Sequence, residues 1–429
     1  MKSKVCIKYS SLVSAAALVS SLLVFSQLAC NSTTDSKDQA KAKPPATTKA
    51  AAEYVLLDSA GNPAGKNLAW LDMALPLGLN KALVLTIRNP IQQIAEEELD
   101  ALMDQYKPKR AYAIMADPYT GDIMALAVKQ GRDPIDGLDG VILPSSLVFE
   151  PGSMMKPFPI SAAIDLGLIT PDTKFDCEKG VWEFAGKTLR DSHPEETITV
   201  SDIIRVSSNI GTAKIALKLG DEKLYRAFRS FGFAQKTGLP LCPESAGILR
   251  EVKDWDPLSI ARFPIGQGVS CTPFQLLRAY CALANGGKLV KLRIVDGGKD
   301  PQTGKIVRIP AEAGEKILKD DTCVKMASML KLATAEGGIG VNAAIPGCEV
   351  AGKPGTSQKW EDGQYSYTRF YASFIGFVPA DKPKFVLLII ADEPEEEHFG
   401  GVVAAPVFKN IAERTLKLLD TEKGKTEGK

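Results

Sequence analysis

The segment Glu150-Pro151-Gly152-Ser153-Met154-Met155-Lys156-Pro157-Phe158 sets a serine and a lysine three residues apart where an apolar, helix-forming stretch begins. At a helix amino terminus the backbone N–H groups point outward and stabilise negative charge developing near the Ser153 hydroxyl. Lys156, one turn on, comes onto the same face. A serine hydroxyl is a poor nucleophile until a neighbouring base takes its proton, and Lys156 is the base within reach. In that role its amine must be neutral, against an ordinary pKa of about 10.4. Desolvation and a second cation, Lys353, both push in that direction. Pro157 and Pro159 each remove a backbone donor just after the first turn, which predicts a tight or distorted start to the helix.

A lone Ser-x-x-Lys carries little weight, but two further motifs follow it in order. Ser207-Ser208-Asn209 falls early in an apolar-periodic helix, Ile203 to Leu219, and Lys353-Pro354-Gly355-Thr356 falls at the start of a strand. Together they form the parts list of a serine acyl-transfer enzyme with a lysine base. In it Ser207 relays a proton and Asn209 hydrogen-bonds substrate. Gly355 lets a ligand approach the strand backbone closely, and Pro354 restricts that strand to a sheet edge. If the Thr356 N–H faces the cleft, Pro354 shares its orientation and its missing donor costs no ladder bond. Such an edge is open to an extended peptide as an added strand. A histidine base fits less well: the chain has two histidines, His193 in the turn Asp191-Ser192-His193-Pro194 and His398 after an acidic run, and no Gly-x-Ser-x-Gly elbow.

Working outward, Ala82 to Ile87 reads as a short strand and Pro90 to Tyr106 as a helix with an acidic outer face. Ala111 to Ala116 and Asp122 to Val128 flank the turn Pro118-Tyr119-Thr120-Gly121 and predict an antiparallel hairpin. Three more strands come near the other end, Glu349 to Lys359, Phe370 to Val378 and Phe385 to Asp392. The region between is mostly helical in period, as in Val200–Leu219, Pro273–Ala284 and Asp321–Ala333. The expected fold is therefore α/β (α+β): a central, mainly antiparallel five-stranded sheet, two strands from the front and three from the back, flanked by helices and enclosing a helical subdomain. Pro406 to Leu419 is expected to close it as a helix on the sheet.

With 52 basic against 51 acidic residues the net charge is +1, which gives no field for nucleic acid, and nucleic-acid binding is set aside. The basic start (Lys2, Lys4, Lys8) and the apolar run from Leu12 to Ala29 read as an export leader or a membrane anchor over residues 1–29. Ala29-Cys30 before polar residues suits lipidation at Cys30; an uncleaved helix is the alternative. Either places the rest outside the cytoplasmic membrane, in the cell envelope. Residues 30–52 read as a flexible tether, 53–80 as a short region without firm structure, 81–420 as the main domain and 421–429 as a polar tail. The six cysteines after Cys30 show no metal-ligand spacing, so neither a metal nor a cofactor is expected; they read as buried small hydrophobes, while their even number in an exported protein also permits disulfides of a pairing the spacings do not choose.

From about Ala82 to Leu419 the chain resembles the penicillin-binding protein transpeptidases, of the class B type. Besides the three motifs, the resemblance rests on Leu85-Thr86-Ile87 with Ile91-Gln92, Asp117 to Ala125, Ile210-Gly211 after Asn209, Gly266-Gln267-Gly268 with Thr272-Pro273, Ala284-Asn285-Gly286-Gly287, and Gly400-Gly401 to Phe408. It implies the β-lactamase/transpeptidase-like fold and a peptidoglycan D,D-transpeptidase that cross-links stem peptides through an acyl-serine. It further implies that Ser153 is acylated, Lys156 is the base, Ser207 and Asn209 assist, and Lys353, Gly355 and Thr356 hold substrate. The N–H groups of Ser153 and Thr356 would form the oxyanion hole. Implied partners are peptidoglycan stem peptides, β-lactam antibiotics, a membrane glycan polymerase, and the cytoplasmic membrane through the N-terminal anchor. The chain departs from the family in Pro354, where threonine is usual, and in the shortness of residues 53–80, where a larger pedestal is usual; Asp58 to Gly61 looks like a remnant of its start. A D,D-carboxypeptidase, a β-lactam-hydrolysing or sensing relative, and a catalytically silent cell-wall scaffold remain as alternatives.

Overall fold

A computed structural model describes residues 56–65, 82–131, 143–300 and 302–427. The leader or anchor, Cys30 and the tether lie outside the described residues. Among those described, no helix is long and apolar enough to cross a membrane.

The central sheet holds β1 (Arg110–Ala116), β2 (Ile123–Gln130), β3 (Ala351–Glu361), β4 (Gln364–Val378) and β5 (Phe385–Asp392) in the order β3-β4-β5-β1-β2. Each neighbouring pair is antiparallel, with Pro354 opposite Phe374 and Ile389 opposite Ala113. The sheet is therefore the one expected, two strands from the front and three from the back. Because side chains alternate across a strand, each strand feeds two cores. Tyr112, Ile114, Leu388 and Ile375 face the helical insertion. Ala113, Met115, Leu387 and Phe374 face α1 (Asn89–Tyr106) and the C-terminal helix. Burial on both faces explains why β1 and β5 are apolar except at one end, where Arg110 and Asp392 meet in a buried ion pair.

The insertion contains α2 (Pro157–Asp165), α3 (Val200–Val206), α4 (Asn209–Leu219), α5 (Pro273–Ala284) and α6 (Asp320–Thr334). The stretch Val200–Leu219, expected as one helix, is two. Ser207 ends α3 in a left-handed conformation (φ 62°) and the Ser208 side chain caps α4 by accepting from Gly211 N–H. Short hairpins, such as Val181–Phe184 with Lys187–Arg190, also interrupt a region expected to be mostly helical. Leu83–Leu85 lies between Leu56–Leu57 and Val295–Lys299 in a separate four-stranded sheet, and the Asp58 carboxylate closes the turn after Leu57 by accepting from Ala60 and Asn62.

The closing helix, α7, runs from Gly400 to Glu427 and so begins six residues before Pro406, the expected first residue. Its last turns take in residues 421–427, read from sequence as a tail; ion pairs from Lys384 to Asp420 and from Arg88 to Glu422 anchor them.

Candidate active site

Ser153 lies in a 3-10 turn, Gly152–Met155, that leads through Lys156 into α2. The tight start expected from Pro157 and Pro159 is thus present. Three segments meet at this turn. A Cβ on Gly266 would fall 2.1 Å from the Gly152 carbonyl oxygen, and one on Gly355 would fall 2.9 Å from Met154 Cγ. Only glycine permits these approaches. Tyr280, on α5, donates its phenol to the Met154 carbonyl at 3.0 Å and fixes the turn from beneath.

Ser207, at the α3–α4 junction, completes the approach. Its Oγ lies 3.0 Å from Ser153 Oγ, and Lys156 Nζ donates to it at 2.9 Å and also to the Ser207 carbonyl. The lysine therefore reaches the nucleophilic serine through Ser207, where sequence spacing suggested direct contact. Lys353, on β3, extends toward the same place. Both lysines are fully buried, and among the described residues Lys353 Nζ has no hydrogen-bond partner.

Burial strips both amines of the water that would stabilise an ammonium. The Lys156 pKa falls to about 7, opposed by the Asp191 carboxylate. That of Lys353 falls well below its ordinary value, first through burial and then through repulsion by Lys156. A lysine with a pKa near neutrality is equipped to accept a proton at physiological pH.

Asp191, read from sequence as part of a turn, holds the Ser-Ser-Asn motif in place. Its carboxylate accepts from Ser208 Oγ at 2.6 Å and from the N–H groups of Asn209 and Ile210, the orphan donors at the start of α4. Asn209 donates its side-chain amide to the Arg190 carbonyl at 2.7 Å. An acid preceding the motif is the one signal in the sequence, and its spacing of 17 residues from Ser208 gives no hint of contact.

Ser153, Ser207, Asn209, Pro354 and Thr356 line one cleft of about 810 Å³. Its wall is β3, an edge strand, as Pro354 requires. Thr356 Oγ1 accepts from Gly400 N–H at 3.0 Å, which ties the start of α7 to this strand. His193 is on the rim, and His398 stacks on Phe370 at 4.2 Å. The hydroxyl bonded to Ser153 belongs to a serine, and neither histidine takes that place.

This constellation on this sheet has known counterparts. Residues 111–413 match the family model of the penicillin binding protein transpeptidase domain. The chain belongs to that family. It is 31% identical over 374 residues to the "Probable peptidoglycan D,D-transpeptidase PenA" of Neisseria gonorrhoeae, covering 86% of this chain and 62% of the relative. It is 34% identical over 355 residues to "Stage V sporulation protein D" of Bacillus subtilis, covering 80% and 54%. The chain thus spans less than two thirds of the length of these relatives. Among solved structures, the transpeptidase domain of Burkholderia pseudomallei penicillin-binding protein 3 superposes with a TM-score of 0.69 at 33% identity, covering 78% of this chain and 96% of that domain. Penicillin-binding protein 3 of Mycobacterium tuberculosis, solved with aztreonam, gives 0.78 at 27% identity, covering 86% and 96%. The free thiols Cys177, Cys271, Cys281 and Cys323 are buried, Cys348 is half-buried, and none of them lines the cleft; Cys242 departs from the reading of all six as buried hydrophobes, being half-buried and disulfide-bonded.

Proposed function

We propose that this chain is a peptidoglycan D,D-transpeptidase whose nucleophile is Ser153. The observation that carries the reading is the hydrogen-bonded chain Lys156–Ser207–Ser153 at the base of a cleft walled by an edge strand. Ser153 Oγ attacks the carbonyl of the penultimate D-Ala of a stem peptide. Its proton passes to Ser207, whose own proton passes to the neutral amine of Lys156. The peptide C–N bond breaks, and the terminal D-Ala leaves after taking a proton back along the same route. An amine of a neighbouring stem peptide then attacks acyl-Ser153, gives up its proton to the relay and forms the cross-link, which restores the serine.

In this reading the N–H groups of Ser153 and Thr356 hold the oxyanion and Asn209 orients the peptide. Lys353 supplies positive charge when a substrate carboxylate offsets the cost of its burial. Gly355 keeps the strand backbone open to the ligand. The catalytic domain spans residues 81–427, including the end of the closing helix, and works outside the cytoplasmic membrane. Residues 1–29 serve as leader or anchor, lipidation of Cys30 is one form of attachment, and a membrane glycan polymerase is the natural supplier of strands. Water as acceptor would make the same residues a D,D-carboxypeptidase.

The test is incubation of the full chain with a labelled penicillin, followed by intact and peptide mass spectrometry, with Ser153→Ala as control. A lasting adduct on Ser153 is expected. Its absence from folded protein would overturn the reading in favour of a silent scaffold, and rapid turnover of the adduct would point to a β-lactam hydrolase.

A further inference from the structure

Beyond Glu150 a second cavity of about 750 Å³ adjoins the catalytic cleft, with Glu150, Gln358 and Tyr365 forming walls of both. Its charged lining is almost fully compensated. Arg250 pairs with Asp256, Glu361 with Arg369, and Lys359 with Asp392 and Glu393. Glu150 accepts from Gly268 N–H at 2.8 Å and from the Tyr365 phenol at 3.2 Å. Among the described residues lining this cavity, the half-buried Arg262 is the charged side chain with neither a hydrogen bond nor an ion pair. Its guanidinium does not deprotonate, and its planar fork matches a carboxylate.

The cavity lies along the path of a bound peptide. Thr356 borders the catalytic cleft, Gln358 borders both cavities, and Trp360 borders the second. From Thr356 to Trp360 an extended strand advances about 13 Å, so a peptide added along β3 brings a residue three or four positions from its reacting carbonyl to this point. The pairing of β3 with β4 also shifts register between Gln358 and Trp360. Such irregularities re-aim side chains beside active sites.

We infer that this cavity is a second substrate subsite, in which Arg262 binds a carboxylate carried by the peptide donor three or four residues before the bond that is cleaved. The inference rests on the transpeptidase reading. Trp360 and Tyr371 supply the apolar walls against which the stem of that residue packs. Glu150, on the same wall, attracts the Arg262 guanidinium without forming an ion pair with it.

The test compares two synthetic donors ending in D-Ala-D-Ala that differ in that residue alone, one bearing a free carboxylate and the other its carboxamide. Wild-type protein is expected to favour the carboxylate donor about tenfold or more in kcat/KM, the scale of one charge-assisted hydrogen bond. Arg262→Gln is expected to bring the ratio to about one, and Arg262→Lys to retain part of it. A wild-type ratio near one, or a ratio unchanged in Arg262→Gln, overturns the inference. Because the readout is a ratio within one protein, a general loss of folding does not imitate the expected result. If Arg262→Gln does not fold, the salt dependence of the wild-type ratio decides: an ion pair is screened as ionic strength rises, and a constant ratio overturns the subsite. Penicillin labelling of Ser153 in the wild-type sample distinguishes failure of the subsite from failure of the transpeptidase reading.

Discussion

Acylation of Ser153 should follow the protonation of Lys156. Burial brings that amine to a pKa of about 7, with Asp191 opposing the shift. If the relay needs a neutral amine, roughly nine tenths of the protein is competent at pH 8 and roughly one tenth at pH 6. The second-order rate constant for acylation by a fluorescent penicillin, followed by stopped flow, should therefore rise about tenfold from pH 6 to a plateau near pH 8. Asp191→Asn removes the charge that favours the ammonium, so its midpoint should move toward lower pH. Circular dichroism across the range separates titration from unfolding. A flat profile from pH 5 to 9 would refute a lysine base of this pKa. A midpoint that moves upward in Asp191→Asn would refute the assigned role of the carboxylate.

Other substitutions probe the remaining contacts. Lys156→Arg should fold but fail to acylate, because a guanidinium does not give up its proton; a penicillin adduct in mass spectra would contradict this. Ser207→Ala should slow acylation by about 10²- to 10⁴-fold while leaving thermal stability near wild type, since it removes the hydroxyl between Lys156 and Ser153. Gly355→Ala would set a methyl 2.9 Å from Met154 Cγ and 3.0 Å from the Pro151 carbonyl oxygen, and should cost about 1–3 kcal/mol in denaturant unfolding. Tyr280→Phe should cost about 1 kcal/mol through the lost bond to the Met154 carbonyl, more if that oxygen stays unsatisfied.

The sheet was legible because the buried parts of its strands are apolar and bounded by turns such as Asp362-Gly363, and because Pro354 confines β3 to an edge; the polar first half of β4, from Gln364, was not. The helix break at Ser207 was not, because apolar periodicity runs through it; a left-handed serine and a side-chain cap at Ser208 leave no mark in that period. Asp191 was hidden for a related reason. Its three hydrogen bonds join a loop to a helix start across a gap that only folding closes. Arg262 was equally invisible, since its lack of a partner is a property of the folded cavity.

Ser207 and Asp191 fix the surroundings of Lys156, one of two buried amines, with Lys353, that are costly to protonate. Placing the Lys156 ammonium in the folded site at pH 7, when an unfolded lysine titrates at 10.5, costs on the order of 5 kcal/mol. The sign follows from linkage: between about pH 7 and 10.5 the unfolded chain binds a proton that the native site has released, so stability rises with pH across that window, and below it the penalty is constant. Lys353 adds a cost of the same sign, and its Nζ has no partner to offset it. The cores on both faces of the sheet must supply that energy. Replacing Lys353 with methionine, which fills similar space without charge, should then raise the urea midpoint at pH 7 by more than at pH 10, while acylation falls. An equal gain at both pH values would show that packing, and not the buried charge, limits stability there.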